Sequence, residues 1–194
     1  MRYQRGMPRR ERLGRGWWLV VPIALFSGCV AFQRETRGQW APGHGLVQNP
    51  SVMIIPLVDV VEKGQGPVGG SGTEFTSSIR DNLLSHGVKL TVADGSALKD
   101  AFDSAASLGY VYVLKGAITQ WEDNATEWSG NPDRAGLSLE LYDVASRQLV
   151  ASAAHNMNGS SAALVPLSPF RFVPELVDHS LARIFGWQPK VWYF

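Results

Sequence analysis

Cysteine is almost missing from this 194-residue chain, with Cys29 the single one. No intramolecular disulfide can form, even in an oxidising compartment, and a cysteine-based metal cluster is excluded. Histidine is scarce as well: His44, His86, His155 and His179 stand far apart and form no HExxH pair. No Gly-x-Ser-x-Gly turn offers a hydrolytic nucleophile. The glycine-rich stretch GQGPVGGSGTEF lacks the Gly-Lys-Ser/Thr ending of a phosphate loop. It reads instead as a flexible loop entering a helix. Neither a metal nor a cofactor is therefore expected.

Positive charge is also lacking, once its distribution is considered. The chain has 18 Lys+Arg and 17 Asp+Glu, but Arg2, Arg5, Arg9, Arg10, Arg12 and Arg15 all precede residue 17, against Glu11 alone. Without residues 1–28 the balance is 12 basic to 16 acidic residues, a net charge of −4. Nucleic-acid binding needs a clustered positive surface, so it is not expected.

What is present begins at that basic end. An uncharged run, WWLVVPIALFSG, spans Trp17 to Gly28 directly after it. A basic segment followed by about a dozen apolar residues has the form of a secretory signal, too short to serve as a comfortable membrane span. The run ends in Phe26-Ser27-Gly28-Cys29, which resembles the lipobox of bacterial lipoproteins. That resemblance implies cleavage before Cys29, with its thiol diacylated. At about 0.8 kcal/mol per buried methylene, two or three acyl chains anchor a protein stably. Val30 stands where an aspartate would resemble the signal for inner-membrane retention, so the expected address is the periplasmic face of the outer membrane. The expected organisation is a signal over residues 1–28, a lipidated tether over 29–49 without sustained periodicity, and one periplasmic domain over 50–194.

Within that domain, Ser51–Asp59 (SVMIIPLVD) is a continuous apolar run that suits a strand buried on both faces. Phe75, Ile79 and Leu83 repeat at helical spacing behind a Ser71/Glu74 capping box, and Gly87 closes that helix. A short strand at 88–93 precedes a second helix, capped by Asp94 or Ser96, with Leu98, Ala101, Phe102 and Ala105 inward. Tyr110–Trp121 reads as a longer strand rich in β-branched and aromatic residues. Leu137, Leu139 and Leu141 alternate with Ser138, Glu140 and Tyr142, the period of a half-buried strand, and 148–156 returns as its hairpin partner. A last helix starts near Pro174 with Val173, Val177, Leu181, Ile184 and Phe185 inward. The order β-α-β-α-β-β-β-α predicts an α/β (α+β) domain: one mixed sheet with about three helices packed on it. The tail GWQPKVWYF is expected to pack on that sheet; the chain lacks the repeated alternating strands of a membrane barrel.

One segment concentrates chemistry. WEDNATEWSGNPDR, Trp121 to Arg134, carries two tryptophans, four carboxylates and an arginine. It resembles the motif of a proteobacterial lipoprotein family grouped as a domain of unknown function, with Asn124 standing where the family pattern has arginine. LELYDVASRQLV downstream also resembles that family, as YVYVLKG and FVPELVDHSLARIFG do more loosely. The element order resembles periplasmic modules of translocation and assembly proteins and the lipoprotein of the Pel exopolysaccharide exporter. The family implies no activity.

The carboxylates Glu122, Asp123, Glu127 and Asp133 sit in one connection between adjacent strands, whereas a glycosidase pair needs two carboxyls facing each other across a cleft. An enzyme is therefore not expected. Arg134 is expected to pair with Glu122, Asp123 or Glu127 and so shape the loop. Trp121, Glu122, Asp123, Glu127, Trp128 and Arg134 are the candidate binding residues, and Cys29 the lipidation site. Tryptophan and arginine favour a protein partner in envelope assembly, with the chain as accessory or scaffold. Indole faces flanked by carboxylates suit a glycan as the alternative, in polysaccharide export or cell-wall contact.

Overall fold

The computed structural model describes residues 33–40, 46, 49–62, 64, 66–124, 131–159 and 168–192. Cys29, Glu127 and Trp128 lie outside the described residues, as do the signal and most of the expected tether. The elements are β1 (Gln33–Trp40), β2 (Ser51–Ile54), β3 (Val61–Glu62), β4 (Gly66–Pro67), α1 (Ser71–Ser85), β5 (Lys89–Val92), α2 (Leu98–Ser107), β6 (Tyr112–Glu122), β7 (Arg134–Asp143), β8 (Leu149–Asn158), a 3-10 turn at Pro169–Phe172, and α3 (Val173–Phe185).

Six strands form one mixed sheet in the order β1-β8-β7-β6-β2-β5. β5 and β6 flank β2 in parallel, and β6, β7, β8 and β1 continue antiparallel. The two parallel crossovers leave β2 and return across it in opposite directions, so right-handed connections place α1 and α2 on opposite faces. Two cores follow. Phe75, Ile79 and Leu83 of α1 and Val173, Val177, Leu181 and Ile184 of α3 bury one face against Leu137, Leu139, Leu141 and Met157. Ala101, Phe102 and Ala105 of α2 bury the other against Met53, Ile55 and Val113. β2 is covered on both sides, which is why SVMI carries no polar alternation. Gly87 and Gly109, at φ 72° and 70°, end the first two helices as left-handed caps.

Several expectations are corrected. Gln33–Trp40, assigned to the tether, pairs with β8 from Gln33↔Asn158 to Trp40↔Ala151. An edge strand held by main-chain bonds needs no apolar period, so its composition resembles that of a linker. The flexible glycine loop contains β4, which pairs with the preceding β3 in a hairpin closed by a Val68 N–H bond to the Val60 carbonyl at 2.8 Å. Neither Asp94 nor Ser96 caps α2, which starts after Ala97 without a side-chain cap. Trp187, in the described part of the tail, packs on the helices: its ring stacks on His86, just past α1, at 3.8 Å and on Phe185 of α3 at 4.6 Å.

The capping box at α1 is replaced by a distant cap. Ser71 is already the first helical residue, following Gly70 at φ 83°. Asp59, from the β2–β3 connection, accepts hydrogen bonds from the Gly72 N–H at 2.7 Å, the Gly70 N–H at 3.1 Å and the Ser71 hydroxyl at 3.3 Å. Those amides, Gly72 first and Gly70 next, hold the Asp59 carboxyl below the usual carboxylate value, against a smaller opposing effect of burial. A depressed folded-state pKa gives stability that is present above the unfolded value, near 3.8, and is lost as pH falls through the folded value. Asp59→Asn therefore melts below wild type at pH 7, and the gap narrows below about pH 4 in melts followed by circular dichroism. A gap independent of pH would assign the helix start to packing alone.

Candidate functional site

The WEDNATEWSGNPDR segment is the connection between β6 and β7, and the described residues form its base. Glu122 and Arg134 face each other across the last rung of the ladder. Their side chains pair at 3.4 Å, each 42 % exposed, as expected. Glu122 also accepts from Gln120 Nε2 at 3.1 Å, while the Arg134 Nε is buried without an acceptor among the described residues. The pair closes the ladder but contributes little energy. A half-exposed ion pair contributes about 0–1 kcal/mol, so Glu122→Gln shifts the melting temperature by no more than about 4 °C. A larger fall in a thermal melt would give this pair a structural weight that its exposure does not support.

Asp133 holds the base more firmly. It is buried, and one carboxylate oxygen accepts the Asn124 N–H at 2.7 Å. The Asn124 side-chain amide donates to the Pro132 carbonyl at 3.0 Å, and the Asp133 carbonyl accepts the Gly159 N–H at 2.7 Å. Asn124 thus clamps the two stems of the loop by one hydrogen bond to a carboxylate and one to a carbonyl, with no need for a positive charge at that position. These contacts tie Asn124 at the end of one stem to Pro132 and Asp133 at the start of the other.

Trp121 is corrected as a binding residue. It is 5 % exposed, with its ring edge-on to Phe170 at 4.8 Å and to Phe75 at 6.4 Å. An indole enclosed by helix α1 and the 3-10 turn offers no face to a ligand. Asp123, by contrast, is exposed. Its N–H donates to Glu62 Oε1 of β3 at 3.0 Å. Partial desolvation, and then the Glu62 carboxylate, push the Asp123 carboxyl up from its usual value. Two carboxylates from segments 61 residues apart therefore share the loop's flank. Sequence reading missed Glu62, because a lone acid in a glycine-rich hairpin carries no local signal of its partner.

The candidate residues are thus divided. Glu122, Asp123 and Arg134 meet at the sheet end, Trp121 lies in the core beneath them, and Glu127 and Trp128 lie outside the described residues. Among the described residues the histidines form no such cluster with these acids. His155 and His179 stack at 4.9 Å under α3, with Glu175 Oε1 3.9 Å from His179 Nε2. Among the described residues no group of three or more His, Cys, Asp or Glu could hold a metal ion, and no helix is long and apolar enough to cross a membrane.

Comparison with known proteins places this architecture. A family described as a domain of unknown function, DUF4823, matches residues 47–175. Among solved structures, the PelC dodecamer from Paraburkholderia phytofirmans is similar at TM-score 0.60 and 21 % identity, over 78 % of this chain and 97 % of that one. Lipoprotein GNA1162 from Neisseria meningitidis is similar at TM-score 0.43 and 12 % identity, over 56 % of this chain and 83 % of that one. No curated protein matches by sequence.

Proposed function

The chain belongs to the DUF4823 family, and from that premise we propose that it is a lipoprotein of the cell envelope, acylated at Cys29 and held on the periplasmic face of the outer membrane, where it acts as a non-enzymatic accessory or scaffold in envelope assembly. The observation that carries the reading is the braced end of the sheet. Asp133, Asn124, Glu122 and Arg134 are engaged with one another or with the main chain, so these groups work as a mount for the connection that they flank. A shaped connection on a rigid sheet suits recognition better than chemistry. The basic and apolar amino terminus ending at Cys29 supports the anchor.

A glycan ligand is the second reading, favoured by the adjoining carboxylates of Glu62 and Asp123. Two acids on one flank complement a cationic amino sugar. The Paraburkholderia PelC that shares the fold is a dodecamer, so an assembly of identical chains is one arrangement that the scaffold could take. Light scattering on the purified lipoprotein would test for it.

The function is tested by placing a photo-crosslinking residue at the exposed position 123 in cells. A discrete protein adduct supports the scaffold reading, and a sugar-bearing adduct replaces it with the glycan reading. No adduct from a folded, membrane-bound protein would overturn both for this surface. In the same cells, Cys29→Ala should move the protein from the membrane fraction to the soluble fraction; retention in the membrane would refute the acyl anchor.

A further inference from the structure

The edge of the sheet opposite β1 is a second surface, formed by β5. Among the described residues β5 is the last strand and pairs only with β2. Ala93 N–H donates to the Ile54 carbonyl at 2.8 Å. Because ladder bonds alternate along a parallel strand, Thr91 shares that orientation, and Leu90 and Val92 turn their N–H and C=O groups away from the sheet. Edge strands are usually blunted by lysine, proline or a bulge. Here the sole lysine of the strand, Lys89, is drawn aside over the Tyr110 ring, its ammonium 5.3 Å from the centroid.

Beside this edge runs a cavity of about 540 Å³, walled by Thr91 and Val92 on one side and by Asp100, Ser104, Ser107 and Leu108 on the other, with Met53 and Ala101 at the base. The base is apolar and buried. The rim carries exposed aliphatic groups, with Val92 36 % and Leu108 60 % exposed. Ala101, Ser104 and Ser107 keep the helix wall low enough for a main chain to approach. Asp94 and Asp100 line the end of the groove beyond Val92, exposed and without an ion pair among the described residues. Asp103, one turn along α2, differs, since it pairs with Lys99 and Arg147. A free strand edge, a flanking helix, an apolar base and unpaired acids at one end are the elements of strand addition by a peptide.

We propose that this groove binds an extended segment of a partner protein as a seventh strand, main chain on Leu90 and Val92, an aliphatic side chain over Met53 and Leu108, and a basic side chain at Asp94 and Asp100. The charge layout fixes the end of the groove at which the basic residue sits. Lys89 at the opposite end disfavours a second cation there, so an antiparallel segment enters with its basic residue nearest its own amino terminus. Four strand residues permit only a short ladder, so the affinity belongs in the micromolar range.

The test uses the full lipidated protein in detergent and a fluorescein-labelled peptide, Lys-Val-Thr-Val-Thr-Val, with a second copy of the peptide N-methylated at alternate amides as control. Saturable anisotropy for the first peptide and none for the second is the expected result. Val92→Pro removes an outward N–H that the sheet does not use, and edge positions accept proline. It should weaken binding at least tenfold with an unchanged melting temperature. Asp94→Asn with Asp100→Asn should weaken it by a similar factor and lessen its salt dependence. Absence of saturable binding up to millimolar peptide overturns the proposal, and so does binding that both variants leave intact. If light scattering finds an oligomer that Val92→Pro dissociates, the edge belongs to a second copy of this chain, and the peptide reading falls. None of these outcomes depends on the β6–β7 connection, so this inference and the reading of that loop stand or fall separately.

Discussion

Trp121→Ala lowers stability by about 3–5 kcal/mol, a fall of roughly 6–20 °C in melting temperature for a chain of this length, as measured by a thermal melt. The size follows from what the ring joins. Trp121 lies at the end of β6, Phe75 on α1, and Phe170 in the turn that leads into α3. Removing the indole opens a cavity where three elements converge, and the edge-on ring contacts are lost with the buried area. Trp121→Phe keeps most of the apolar volume and should lose less than half as much. A tryptophan present only to recognise a ligand would behave differently, since its alanine variant would melt with wild type and fail only in binding. An unchanged melt would therefore return Trp121 to the binding surface and contradict its burial.

That difference shows which parts of this protein are legible in its residues. Local periodicity identifies elements whose partners are adjacent or whose burial repeats. Phe75, Ile79 and Leu83 mark the inner face of α1, Leu137, Leu139 and Leu141 the buried face of β7, and Val173, Val177, Leu181 and Ile184 that of α3. Arg134 was readable as a partner of Glu122, Asp123 or Glu127 because one connection carries them all, and Glu122 is the one it meets among the described residues. The misses share a different property: each is a single polar or main-chain contact between distant segments. β1 meets β8 through backbone bonds that any side chains can flank. Asp59 caps a helix from the preceding connection and displaces the local Ser71/Glu74 pattern. Glu62 meets Asp123 across the β3–β6 contact. A tryptophan in an acidic motif has the same letters whether it faces solvent or core, and only the tertiary placement of Phe75 and Phe170 decides between them.

Asp178→Ala is expected to have the second large effect, for reasons that combine stability with the ordering of the tail. Asp178 is on α3 and is 2 % exposed. One carboxylate oxygen accepts from Asn82 Nδ2 of α1 at 2.9 Å; the other accepts from the Lys190 N–H at 2.6 Å and Trp192 Nε1 at 3.4 Å. The carboxylate therefore ties two helices and the tail at one point. Alanine leaves the Asn82 amide buried without that acceptor, and each hydrogen bond to a charged group is worth about 1.5–3 kcal/mol. A loss of about 3 kcal/mol is expected, seen as a melt lower by roughly 6–12 °C. The tail should respond unevenly. Trp187 keeps its stacks on His86 and Phe185, so hydrogen exchange should stay slow at 187 and rise sharply at Lys190. Asp178→Asn retains one carbonyl acceptor but turns an amide toward donors, and should fall between alanine and wild type. Uniform exchange along the tail in the alanine variant would mean that the Trp187 stacks alone hold it, and that Asp178 serves the α1–α3 contact only.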